Sequence, residues 1–270
     1  MLNSKSQLIK TRLGFICFLP WVFFGTFFVA GSLAQVPGGG AKPKPVPPTG
    51  PLLNPAPKFS EWVITFSYPQ DRPSLKTGAP SPELPPLAPS LPRKILTTKT
   101  GDVVHEQTQD VSGKVFEKWQ DGPKNYIKPP GQTTWGVLWH RGANNNTSDP
   151  NFPLPENGFR GLDWINATAY AGTIKTEAGA ALVFLGLGAD YVDLSDPKSA
   201  KDKLANESTV AYIDFQTRLP SSVKEDDVIR TYTFTTPPSA MQKLPADLTN
   251  EIKKGNESRA KLLAAPKQEF

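Results

Sequence analysis

Three residue pairs, Thr100-Gly101, Ser112-Gly113 and Asp121-Gly122, punctuate the stretch KILTTKTGDVVHEQTQDVSGKVFEKWQDGPKNYIK, residues 94–128. Glycine reaches the positive φ that tight hairpin turns demand without steric cost. The pieces between the pairs are of strand length, too short for helices and poorly patterned for them. This spacing predicts a four-stranded antiparallel meander at about 94–99, 102–109, 114–119 and 124–128.

The rest of the chain carries the same period of two. In SEWVITFSY, residues 60–68, Trp62, Ile64, Phe66 and Tyr68 alternate with Glu61, Val63, Thr65 and Ser67, which predicts a half-buried strand with an aromatic face. YAGTIKT (170–176) and AALVFLGLG (180–188) read as a hairpin whose second strand is apolar on both faces, the mark of a strand central in its sheet. VAYIDFQ and VIRTYTFTT read as the last hairpin, with Ala211, Ile213 and Phe215 facing one way and Tyr212, Asp214 and Gln216 the other. Helical signals are short: one turn capped by Asn166, a turn within 195–208, and LPADLTNEIKK with Leu244, Leu248 and Ile252 on one side. The expected fold is mainly β, a curved antiparallel sheet or half-barrel with short helices and a proline-rich N-terminal arm.

Residues 1–34 read as a targeting segment. Lys5, Lys10 and Arg12 precede an uncharged run from Leu13 to Gly31 and then Ser32-Leu33-Ala34, the order of a signal peptide cut after Ala34, or of an anchor if it stays uncut. Either way the remainder is expected to be exported, periplasmic or extracellular. Cys17, the single cysteine, lies inside that segment, so the mature chain has no thiol for a disulfide or a metal. Gln35 stands where a lipid-modified cysteine would follow the small residues. Without the segment the 30 basic residues fall to about 27 against 25 acidic ones, which leaves no electrostatic footprint for nucleic acid. Residues 35–58, rich in proline and glycine, are expected to form an extended linker. A β-rich domain then spans 59–250, interrupted by a proline-rich insert at 69–92 and an exposed loop at 129–158, and 251–270 form a basic tail.

Catalytic signatures are missing. The two histidines are His105, on a strand, and His140, at a loop entry. His105-Glu106 begins like a zinc-protease helix, but position 109 is Gln, on a strand. Asp190, Asp193 and Asp196 lack the alternation and glycine of a calcium loop, and LGLGADY puts Tyr191 where a dinucleotide site needs its third glycine. No catalytic residue, metal site or cofactor is expected. The aromatic surplus is more informative. Trp62, Phe66, Trp119, Trp135 and Trp139 are the candidate ligand-binding residues, on the premise that a curved sheet with an aromatic inner face holds an apolar ligand.

The stretch AYIDFQTRLP, followed by VIRTYTF, a proline pair and LPAD, resembles uncharacterised exported bacterial proteins that are themselves similar to periplasmic lipoprotein carriers. Ile213-Asp214, Thr217, Leu219 and Pro220 match a sheet corner of that group; Arg218 stands where glycine is common. The resemblance implies an open half-barrel and a lipid or lipoprotein ligand. The leading expectation is therefore a non-enzymatic, exported protein that binds a lipid or other apolar ligand, touching the membrane only through an uncut N-terminus. The alternatives are a structural or interaction module with an envelope protein partner, and a carboxylate hydrolase drawing on Asp163, Glu106 or Glu117.

Overall fold

Each of the three glycine pairs does turn the chain: Gly101, Gly113 and Gly122 adopt φ of 66°, 84° and 55°. They link β2 (Pro92–Thr100), β3 (Val103–Asp110), β4 (Val115–Asp121) and β5 (Lys124–Lys128) into the expected meander. The computed structural model describes residues 44–71, 84–138, 154–155, 157–177, 179–189 and 192–264. Residues 1–34, expected from the sequence to be a targeting segment, and Trp139, His140 and Asp190 fall outside these residues. The remaining strands are β1 (Phe59–Ser67), β6 (Gly136–Leu138), β7 (Tyr170–Thr176), β8 (Gly179–Leu185), β9 (Thr209–Asp214), β10 (Pro220–Glu225) and β11 (Val228–Phe234). Two helices complete the elements, α1 (Pro197–Asn206) and α2 (Ala246–Ala264).

Among the described residues the eleven strands form one antiparallel sheet, ordered β6-β5-β4-β3-β2-β1-β11-β10-β9-β8-β7, curved but not closed into a barrel. The first strand is thus central, and the last pairs beside it: Trp62 faces Phe234 and Ile64 faces Tyr232. Register divides the side chains between two faces. Trp62, Thr97, Glu106 and Lys118 form one cross-strand row, and Thr98, His105, Trp119 and Tyr126 form the neighbouring row on the opposite face. Both helices pack on the Trp119 face. Leu248 of α2 is buried with Trp119 and Tyr126, and Ala200 and Leu204 of α1 are buried with Val183, Leu185 and Val210.

The Trp62 face is covered by the chain's own irregular segments. Leu52, Leu53 and Ala56 from the proline-rich arm, and Phe159, Leu162 and Trp164 from the segment preceding β7, pack with Trp62, Leu182, Phe184, Ile213 and Tyr232. The arm was expected to be a solvated spacer, but its two adjacent leucines and Ala56 give it apolar surface to bury. The amide of Ala56 donates to the carbonyl of Asn157 at 2.8 Å, and Gly158 leaves room for it, since a Cβ there would lie 2.6 Å from that of Ala56. The double-sided apolarity of β8 has a local cause. The strand lies second from the sheet edge, not at its centre, with α1 over one face and the arm-and-loop layer over the other.

Two further elements differ from expectation. PSSVKE forms β10, between strands read as one hairpin, although Val223 is its only large apolar side chain. The segment after Asn166 makes a turn in place of a helix, with the Asn166 carboxamide accepting from the amides of Thr168 and Ala169.

Asp214 explains the corner at 217–220. Its Oδ1 accepts from the amides of Gln216 (3.0 Å) and Thr217 (2.7 Å) and from the Thr217 hydroxyl (2.8 Å). Arg218 adopts φ of 59°, the left-handed conformation that favours glycine, and its guanidinium lies over the Phe215 ring. The arm docks here too: the Asn54 amide donates to the Arg218 carbonyl and its carboxamide to that of Thr217. Burial pushes the Asp214 carboxyl up, but these donors outweigh it and hold the group below the usual carboxylate range. A folded-state pKa below the unfolded one stabilises above the unfolded value, near 3.9, and that contribution is lost as pH falls through the folded value. Asp214→Asn keeps an oxygen acceptor without the charge. Its thermal midpoint is expected to fall less than the parent's between about pH 4 and pH 2.5; an identical acid slope in both proteins would contradict this role.

Candidate functional site

The four candidate aromatic residues that are described do not share one surface. Trp62 is 1% exposed and belongs to the core, edge-on to Phe159 with ring centroids 5.6 Å apart. Phe66 is half-buried on the same face, stacked with Tyr68. Trp119 lies on the opposite face, 6% exposed beneath α2, with the His105 ring stacked 4.1 Å from its own. Both rings engage one carboxylate, Glu117: His105 Nε2 lies 3.0 Å from its Oε1, and the Trp119 indole donates to the same oxygen at 3.2 Å. Burial lowers the His105 pKa more than Glu117 raises it, so the ring is neutral near pH 7. Trp135 comes close to Trp119, in the same apolar cluster.

Carboxylates are likewise separated. Glu106 and Glu117 project from opposite faces of β3 and β4, and Asp163 is exposed in the loop after Phe159. Arg160 Nη1 donates to both oxygens of Glu106, at 2.9 and 2.8 Å, which fixes that loop onto the sheet. Among the described residues no three His, Cys, Asp or Glu side chains are grouped as metal ligands.

Residues of α2 and of β5–β6 line a mostly apolar concavity of about 560 Å³. That volume lies within the range of roughly 300–1,000 Å³ common to small-molecule sites. Tyr126, Trp135 and Val137 form one wall; Leu248 and Ile252 form the other. The walls exist because Leu244, Leu248 and Ile252, at helical spacing, turn toward the Trp119 face of the sheet. Val137 on the short edge strand β6 remains 47% exposed, so the groove is open on that side.

Trp135 is clamped in place by two acids one turn apart on α2. Its amide donates to Glu251 Oε2 at 2.8 Å and its indole to Asp247 Oδ2 at 3.0 Å. Lys128 completes the clamp, 3.1 Å from Asp247 Oδ2 and 5.1 Å from the centre of the indole. The indole and ammonium donors hold the Asp247 carboxyl down at about 2. Both acids are thereby engaged with the wall of the groove. The cations on its lining are Lys124 and Arg259.

Gly255 lines the groove from within α2, in ordinary helical backbone, where an added Cβ would meet nothing within 4 Å. An interior helical glycine costs about 1 kcal/mol relative to alanine, and no contact within the chain requires it here. Sequence reasoning located Trp135 and the Leu248–Ile252 side of the helix. It missed Lys124, Tyr126, Glu251, Gly255 and Arg259, for which the only signal is their place along α2 or β5.

No protein-family model matches the chain, and neither a curated protein nor a solved structure matches it. No helix among the described residues is long and apolar enough to cross a membrane.

Proposed function

We propose that this is an exported, non-enzymatic binding protein for an acyl chain or other apolar ligand, with its site between α2 and β5–β6. The single observation behind this reading is the groove itself. Tyr126, Trp135, Val137, Leu248 and Ile252 present it with apolar surface, and the clamp on Trp135 keeps one wall rigid before any ligand arrives. The aromatic inner surface first suggested by the sequence is a poorer place for a guest, because Trp62 and its neighbours already pack against the arm and the 158–165 loop.

A fluorescent polyene fatty acid titrated into the full chain tests the proposal. Saturable binding is expected, displaced by unlabelled fatty acid, with Ile252→Glu weakening it about tenfold or more by placing a charge on the apolar wall. Phe66→Ala, remote from the groove, should leave the affinity unchanged. Absence of saturable binding to the parent protein, or equal binding by the Ile252→Glu variant, would overturn the site.

A further inference from the structure

We infer that the ligand of this groove is an amphiphile with an anionic head group, a long-chain carboxylate or its like, laid across α2 at Gly255; the inference rests on the binding site just proposed. The lining carries one acid, Glu251, against two cations. The Glu251 carboxylate accepts from the Trp135 amide, and Asp247 is bonded to the Trp135 indole and to Lys128. Lys124, at the start of β5, and Arg259, one turn beyond Gly255, are the cationic side chains on that lining. A carboxylate head lodged near them gains charge-assisted hydrogen bonds, while the apolar wall receives the chain.

Gly255 supplies the second, independent observation. Neither backbone conformation nor a close neighbour within the folded chain demands a glycine there. A helix that lacks a side chain at a groove-lining position gives a ligand access to its backbone. Stability alone would favour alanine; an occupant lying against the helix would favour glycine. The two pressures have opposite signs, and so they can be separated in one variant.

The experiment measures displacement of the fluorescent fatty acid from the full chain by three probes of equal chain length: hexadecanoate, hexadecanol and hexadecylamine. Hexadecanoate is expected to bind about tenfold or more tightly than the alcohol, and the amine most weakly. Lys124→Gln combined with Arg259→Gln should abolish the preference of hexadecanoate over hexadecanol. Gly255→Ala should raise the thermal midpoint by about 2–4 °C while weakening hexadecanoate binding. Equal affinities for the three probes, or tightest binding of the amine, overturn the head-group assignment while the groove stands. Tighter or unchanged hexadecanoate binding by Gly255→Ala overturns the path across the helix. Failure of every probe to displace a bound fluorophore places that fluorophore elsewhere and overturns the groove reading as well.

Discussion

Glu106→Ala is expected to destabilise the domain by about 3–5 kcal/mol, the cost of breaking a buried ion pair by removing one partner. Glu106 is 6% exposed, and both its oxygens accept from Arg160. Its cross-strand neighbour on the same face is Lys118, also 6% exposed. The substitution therefore leaves a patch of buried surface with its cations and without this carboxylate. It also removes one tie on the loop, which keeps the Leu154 amide on Gln120, the Asn157 carbonyl on the Ala56 amide and the Arg160 carbonyl on Arg230. Replacing the pair together, Glu106→Leu with Arg160→Met, should cost much less, since apolar side chains of similar size often substitute for a buried pair with little loss. Urea denaturation of the parent and the two variants measures this. A double variant as unstable as Glu106→Ala would show that the loop depends on charge and not on filled volume.

Trp62→Ala is the second large effect, again about 3–5 kcal/mol, from lost apolar burial and the cavity left behind. Trp62 lies where the two halves of the sheet meet, on the central strand opposite both Thr97 and Phe234. It also touches the layer above, through Phe159. For a domain of this size the thermal midpoint should fall by roughly 6–20 °C. Ligand affinity measured well below the new midpoint should be unchanged, because the groove lies on the other face. A variant that keeps its stability and loses ligand would return the site to the Trp62 face.

Legibility in the sequence followed how local each determinant is. The meander was readable because Gly101, Gly113 and Gly122 each mark a turn within a few residues of the strands they join. The alternating runs around Trp62 and Ile213 also declared their strands, since burial on a pleated sheet repeats every second residue, and the short unbroken apolar run around Leu182 declared a strand covered on both faces. PSSVKE did not, because β10 gains its place from neighbours on both sides and not from its own patterning. Leu52 and Leu53 were hidden by the prolines around them, whose composition suggests solvation although two side chains suffice to dock an arm. Tertiary docking sets the groove. Lys124 and Arg259 are far apart in the chain, and only the seating of Leu248 and Ile252 on Trp119 and Tyr126 brings them to one lining. The helical side was visible in the letters; the surface receiving it was not.

The place of β1 beside β11 also orders events during synthesis. Residues 59–67 lead the β domain, yet one of their two partner strands, 228–234, emerges near its end. Half of the hydrogen-bonding edge of the central strand therefore stays open until almost the whole domain has been synthesised. Pairings this distant in sequence carry a large loop-closure cost and form slowly. An aromatic ribbon such as WVITF waiting unpaired is a template for association with other copies.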